Sequence, residues 1–310
     1  MSGDPVRAIA DAVLYEGYIL WPYRRSALKN QRRFTFGGVY PPAHAAAHPD
    51  DPAIMRIEVL VRGGGPIEVT VRFLQVVERT ILGRGGDPVD ELVVDGERYV
   101  SWEEAVEREA RGAGPIALAA GRKREELGAG AVLRTWEALA GEVSLSDERA
   151  GLDVRRVAVT IRNLTDVAPG APREATLRRT FCSTHALLRA GPGAEFVSLT
   201  DPPANLAAAA RDCVNAGTWP VLVGEPGDRS TMLSAPIILE DYPRVAPESP
   251  GDLFDAGEID QLLVLNILAL TDAEKVEMAA TDARAREILE RTEALTPEQL
   301  MALHGRTSLR

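Results

Sequence analysis

Two stretches decide the fold: Arg56-Ile-Glu-Val-Leu-Val61 and Ile67-Glu-Val-Thr-Val-Arg-Phe73. In the first, Ile57, Val59 and Val61 point one way and Arg56 and Glu58 the other. In the second, Ile67, Val69, Val71 and Phe73 alternate with Glu68, Thr70 and Arg72. Successive side chains of a strand point to opposite faces, so this period of two marks strands with one apolar face. Arg62-Gly-Gly-Gly-Pro66 between them is turn chemistry, which predicts an antiparallel hairpin with one solvated face.

Outward from that pair the pattern recurs. Glu91–Val100 predicts a second hairpin turning at Asp95-Gly96, a dipeptide suited to the positive φ angles of a type I′ turn. Val143 and Leu145 alternate with Glu142, Ser144 and Ser146, and Val157, Val159 and Ile161 with Arg156, Ala158, Thr160 and Arg162. With Leu177–Leu188 and Phe196–Leu199 these make a sandwich-like sheet pair. A parallel nucleotide-binding fold needs helices between its strands, and only Pro203–Asn215 reads as one there.

Helices are expected elsewhere. Ile9, Val13 and Tyr15 are spaced for a short one. Ser101-Trp-Glu-Glu104 has the form of a capping box opening a helix through about Ala110. Gly112–Gly130 reads as loop at its edges, with a helical turn around Lys123–Leu127. From Asp255 the signals are helical: Asp255-Ala-Gly-Glu258 precedes the apolar run Ile259–Leu270, Thr271-Asp-Ala-Glu274 opens a charged helix to about Thr292 with a stripe of Val276, Ala279 and Ala280, and Thr296-Pro-Glu-Gln299 opens another. The expected class is α+β, an antiparallel β-rich, sandwich-like body with a helical C-terminal tail. Its regions are 1–130 (β-rich with short helices), 131–250 (β-rich with one helix) and 251–310 (helical).

Composition bounds the function. The chain has 310 residues, 45% of them hydrophobic, so a core forms without staples. A net charge of −11 argues against a general nucleic-acid binder. Two cysteines, Cys182 and Cys213, do not make a disulfide framework and suit a reducing compartment. Neither a signal core near Met1–Arg7 nor a membrane span is expected, since Leu262–Leu270 is far short of the ~20 apolar residues a span requires. A cytoplasmic protein is expected.

Candidate chemistry is sparse. Cys182 and His185 form a C-x2-H pair, but a zinc site takes four ligands, and residues three apart on a strand would face opposite ways. His44 and His48 are spaced i, i+4, yet Ala45 stands where metalloprotease chemistry needs Glu, and the flanking prolines make this a surface loop or a single turn. Asp255 and Glu258 are accounted for by capping, and Asp260 by the helix dipole. Gly63-Gly-Gly65 and Gly83-Arg-Gly-Gly86 open no helix, so neither is a phosphate loop. No catalytic residue, metal or cofactor is assigned. The alternative is a small-molecule enzyme using Asp201, Asp252 or Asp260.

The most unusual segment is Trp21-Pro-Tyr-Arg-Arg-Ser-Ala-Leu-Lys-Asn-Gln-Arg-Arg33, dense in cations within an acidic chain. Trp, Tyr and Arg dominate binding hot spots, so Tyr18, Trp21, Tyr23, Arg24, Arg25, Lys29, Arg32 and Arg33 form the candidate interaction surface, beside the plain reading of a solvated loop.

Several blocks also carry a resemblance: Ile9-Ala-Asp-Ala-Val-Leu-Tyr-Glu-Gly-Tyr18, Trp21-Pro-Tyr-Arg24, Lys29-Asn-Gln31, Asp201-Pro-Pro203, Gly217-Thr-Trp-Pro-Val-Leu-Val-Gly224, Leu233-Ser-Ala-Pro-Ile-Ile-Leu239 and Ala246-Pro-Glu-Ser-Pro-Gly-Asp-Leu-Phe-Asp-Ala-Gly-Glu-Ile-Asp260. Together they resemble an uncharacterised protein family associated with gene clusters of high-affinity NiFe hydrogenases in actinobacteria and other bacteria. The resemblance implies a role in assembly, maturation or organisation, with a hydrogenase subunit or maturation factor as protein partner. It carries over no catalytic residue. The scarcity of Cys and His ligands points from metal delivery toward protein–protein binding.

Overall fold

The two alternating stretches do form strands, but they pair with different sheets. The computed structural model describes residues 5–15, 36–244 and 260–296. Their elements in chain order are α1 (Pro5–Tyr15), α2 (Pro42–Ala45), β1 (Ile54–Gly63), β2 (Ile67–Leu82), β3 (Pro88–Val89), β4 (Glu91–Val94), β5 (Glu97–Val100), β6 (Trp102–Arg111), β7 (Gly114–Leu118), β8 (Gly121–Glu126), β9 (Ala131–Trp136), β10 (Leu139–Arg149) and β11 (Val154–Asn163). Then come α3 (Arg173–Leu177), β12 (Cys182–Ala190), β13 (Ala194–Val197), α4 (Ala207–Arg211), β14 (Trp219–Leu222), β15 (Thr231–Ala235), α5 (Asp260–Leu268), α6 (Asp272–Thr281) and α7 (Ala283–Glu293).

One sheet runs β13-β1-β11-β10-β7. The other runs β14-β15-β12-β2-β9-β8, with β3 and β6 also on β2. All the pairings are antiparallel. The body is thus β-rich and sandwich-like, with helices at the C-terminal end.

The expected β1–β2 hairpin is therefore replaced by an arch. Apolar alternation is identical in both cases; what differs is whether the two apolar faces lie side by side or opposed. Here they are opposed: Ile57, Val59 and Val61 meet Val69, Val71 and Phe73 in one buried cluster between the sheets. Gly63 turns the corner with φ of 75°, and a Cβ there would lie 2.1 Å from the Gly193 carbonyl oxygen. Only glycine fits that approach.

The polar face of these strands is solvated only in part, at Arg56 and Glu68. Glu58 and Arg72 are 4% and 1% exposed. Helices lie on both outer faces: α1 and α5–α7 pack on the larger sheet around Leu74, Val76 and Leu187, and α4 packs on the smaller one against Leu60. Helical segments thus cover part of each sheet's outer face, while Glu142, Ser146 and Glu148 of β10 and Arg122 to Glu126 of β8 remain exposed.

Other expectations are met or corrected by the same logic. The β4–β5 turn has Asp95 and Gly96 at φ of 52° and 83°, as a type I′ turn requires. The pairing of β10 with β11 follows the predicted alternation. The helix expected over 101–110 is instead strand β6. Ser101 caps nothing: its Oγ accepts from Ile81 N at 3.0 Å and donates to Val89 O at 2.9 Å. Partners on β2 and at the end of α3 make β6's charges tolerable, as Arg108 donates to Gln75 at 2.8 Å and Glu103 accepts from Arg178 at 3.0 Å. Gly112–Gly130 is likewise not loop and helical turn but β7 and β8. The helix expected over 203–215 is confined to Ala207–Arg211, and the strand expected from Leu177 begins at Cys182, after α3.

At the C-terminal end Thr271 and Glu274 do form a capping box, Thr271 Oγ1 accepting from Glu274 N at 3.3 Å and Glu274 accepting from Thr271 N at 2.9 Å. The single helix expected to Thr292 breaks at Asp282, whose extended backbone (φ −152°, ψ 148°) lets its carboxylate cap α7 through Arg284 N. Arg79 donates to the Ala280 and Thr281 carbonyls at 3.2 and 2.8 Å, placing a cation on the C-terminus of α6. The buried face of α6 holds Met278, Ala280 and Thr281, while Val276 is exposed. The boxes expected at 255–258 and 296–299 lie wholly or mostly outside the described residues. Among the described residues no helix is long and apolar enough to cross a membrane.

Phe73 stacks on Phe181 at the centre of the sandwich, with ring centroids 4.5 Å apart and both side chains fully buried. Phe73→Ala is expected to lower unfolding free energy by about 3–5 kcal/mol, read as a lower urea midpoint at unchanged slope.

Candidate functional site

The strongest concentration of buried polar groups lies on the outer face of the larger sheet, where β12 carries an irregularity. Ser183 sits at φ of 50°, and the β2–β12 register shifts between Cys182 and His185. Cys182 opposes Leu74 and His185 opposes Arg72. Leu74 and Arg72 share a face of β2, so the bulge brings Cys182 and His185 to the same face, correcting the expectation that residues three apart diverge.

They form no ligand pair all the same. Cys182 packs in the cluster under α5–α7 and its thiol lies 3.8 Å from Thr180 O. Cys213 packs against the other sheet with Leu60 and Val197. Cys182, His185 and Cys213 do not converge, and among the described residues no group of three metal-binding side chains does.

Arg72 organises what is there. Its Nη2 donates to Asp11 of α1 and, at 3.2 Å, to Glu107 of β6. Arg7 adds contacts to Asp11 at 3.5 Å and Glu109 at 3.3 Å. Arg284 of α7 bonds Glu107 at 3.1 Å and lies 3.2 Å above the centroid of the Tyr15 ring. Three arginines and three carboxylates thus lock α1 and α7 onto β2 and β6. Burial, far outweighing the nearby Arg284 charge, pushes the Tyr15 phenol up.

His185 is fully buried beside this network. Its Nδ1 lies 3.3 Å from Ser183 O, which accepts if that nitrogen carries the proton. Burial first, and then the charges of Arg72 and Arg7, pull its pKa down to about 3. The imidazole is therefore neutral at physiological pH and offers no charge to a substrate. Glu109 is raised by burial, but its hydrogen bond to Arg111 and the charges of Arg111, Arg7 and Arg72 hold it below the usual carboxylate range. It too stays locked in one charge state. Beside it, a cleft of about 580 Å³ opens between Arg7, Glu109, Arg111, Leu145, Leu187 and Arg189.

A second cluster escaped the sequence reading. His44, on the single turn α2, bonds Asp51 at 2.8 Å. Its ring stacks between His48 at 4.1 Å and Tyr40 at 5.2 Å. Burial, then the Asp51 charge, pushes the Tyr40 phenol up to about 12. The histidine spacing was visible; Tyr40 and Asp51, on either side of it, were the missing signal. The cluster pins the turn to the body.

The remaining carboxylate candidates stay apart. Asp201 is exposed, and its backbone N donates to Ser198 Oγ at 2.8 Å. Asp241, unremarked in the sequence, accepts from Ser198, Thr200 and Leu222 N at 2.5, 2.8 and 2.8 Å, tying the ends of β13 and β14 together. Asp260 is the first residue of α5, whereas Asp252, Asp255 and Glu258 lie outside the described residues.

So do Tyr18, Trp21, Tyr23, Arg24, Arg25, Lys29, Arg32 and Arg33. The residues flanking them are described, and both flanks meet the same bulge. Ser183 Oγ donates to Val13 O at 3.4 Å, Ser183 N to Phe36 O at 3.1 Å, and Thr184 N to Gly37 O at 2.9 Å. Compared with known proteins, the chain matches no established family and no curated protein sequence.

Two outcomes follow from the buried network. Glu107→Ala leaves Arg72 short of a counter-charge at 1% exposure and is expected to cost about 3 kcal/mol, the low end for a broken buried pair, since Glu107 is itself a third exposed; thermal unfolding reads it. For His185 the folded pKa lies below the unfolded ~6.5, so the unfolded chain binds the extra proton and stability falls as pH drops from about 6.5 toward 3. Between pH 6.5 and 5, above the range of the arginine-held carboxylates, His185→Asn is expected to flatten that slope in urea titrations.

Proposed function

We propose that this protein is a non-catalytic accessory of a NiFe hydrogenase in the cytoplasm, acting by binding a hydrogenase subunit or maturation factor through the segment that holds Trp21, Tyr23, Arg24 and Arg25. The observation that carries the binding reading is the anchoring of both flanks of that segment at Ser183. The described residues that bracket this stretch of cations and aromatics, the residue types that dominate binding hot spots, meet at one point of the sheet. The hydrogenase assignment rests on the sequence resemblance.

The charge states of the body agree with it. Glu58, Glu97 and Glu109 all sit below the usual carboxylate range. For Glu58 and Glu109, burial pulls the other way and is outweighed, by Val214 N–H and Arg56 for the first and by Arg111 for the second. For Glu97 the leading cause is the Tyr99 hydroxyl, with Arg286 adding to it. General acid–base work asks for pKa values near neutrality. These groups serve the scaffold.

The test is affinity purification from a host expressing the hydrogenase, with co-purifying proteins identified by mass spectrometry. Wild type is expected to recover hydrogenase components. Arg24→Glu with Arg25→Glu is expected to lose them at unchanged melting temperature. Equal recovery by that variant removes the segment as the contact surface, and recovery of no hydrogenase component by wild type removes the function.

A further inference from the structure

The larger sheet ends at β8, Gly121-Arg-Lys-Arg-Glu-Glu126. Its only ladder is to β9, so among the described residues its outer backbone edge is unpaired, and Arg122 through Glu126 are exposed. A charged edge ordinarily guards a sheet against adding strands, because the same charges meet when two copies approach. The order of signs here does the reverse. Basic residues fill the first half of the strand and acidic residues the second, so the strand laid antiparallel on itself is complementary.

We propose that β8 is a self-association edge, pairing antiparallel with β8 of a second copy across a two-fold axis near Arg124. Directly opposed residues of an antiparallel pair lie on one face. In this register Lys123 meets Glu125 of the second copy, and Arg122 meets Glu126, each pair occurring twice by symmetry. Neither Arg122 nor Lys123 has a carboxylate partner among the described residues. Of the two carboxylates, Glu125 bonds Arg134 of β9 at 3.0 Å and Glu126 bonds Arg124 at 2.6 Å, so each would be shared with the cation of the second copy. The two Arg124 side chains meet at the axis, and each carries its own Glu126 as counter-ion. Centring the pair on Lys123 instead sets Lys123 against Lys123 and Arg122 against Arg124, and centring it on Glu125 sets Glu125 against Glu125 and keeps only the two Arg124–Glu126 pairs, so the register centred on Arg124 has the most opposite-charge pairs. Six residues of edge make a modest interface, so the dimer is concentration-dependent and weakens with salt.

Sedimentation velocity of the full chain over a dilution series tests this. Wild type is expected to show a monomer–dimer equilibrium. Arg122→Glu with Lys123→Glu turns every opposed pair into a like-charge pair, and is expected to raise the dissociation constant at least about tenfold. Adding Glu125→Lys and Glu126→Arg to that variant restores opposite signs in the four pairs flanking the axis, though Arg124 loses its Glu126 counter-ion and Arg134 its Glu125 partner, and is expected to recover much of the lost affinity. Because the four-fold variant regains complementarity, a loss in the double variant is separated from misfolding. A wild type that is monomeric throughout overturns the proposal, as does one that binds an acidic peptide without self-associating. A dimer that both variants leave unchanged overturns it as well.

Discussion

A guanidinium at 1% exposure cannot stand without counter-charge, and the whole molecule is arranged around supplying it to Arg72. Arg72 lies mid-sheet on β2, opposite His185 on one side and Glu109 on the other. Asp11 reaches it from the first helix and Glu107 from β6, and Glu107 in turn holds Arg284 of the last helix. The desolvation cost of such a charge is repaid only when the partners are held in place. The packing of α1 and α7 on the sheet and the satisfaction of Arg72 are therefore one requirement.

That arrangement explains why the imidazole beside it is inert. A second cation next to Arg72 would be unfavourable, so His185 stays neutral and the face stays closed. Among the described residues, several chemically versatile side chains make structural contacts. Cys182 fills a core, His44 clasps Asp51, and Asp241 collects strand ends. The surfaces proposed for recognition are the segment that holds Trp21, Tyr23, Arg24 and Arg25 and, among the described residues, the outer edge of β8.

Local patterns showed which residues form strands, and long-range pairing decided what those strands do. Alternation at 57–61, 67–73, 143–145 and 157–161, the Asp95-Gly96 turn and the Thr271–Glu274 box were all readable because each is a property of neighbouring residues. Strands β6 and β8 were not, since they are charged along their length and carry no apolar period. Ser101-Trp-Glu-Glu104 misled because a hydroxyl that caps a helix equally bridges two strands. Arg72 and Glu58 looked solvated because nothing in their neighbourhood announces α1 or α4 overhead. The Arg72 network joins residues 11, 72, 107, 185 and 284, a grouping that only the fold creates. The bulge at Ser183 left no signal beyond a small polar residue in a strand.

The interleaving of the sheets also bears on how the chain matures. β1 and β2 leave the ribosome early, but their neighbours β11, β12 and β13 follow only after long intervening stretches. Until those arrive, two strongly apolar strands wait with open edges in a crowded compartment. Loop closure over such separations is slow, and the waiting species is prone to aggregate. Synthesis of this protein thus carries a window of vulnerability that closes only when its second half emerges.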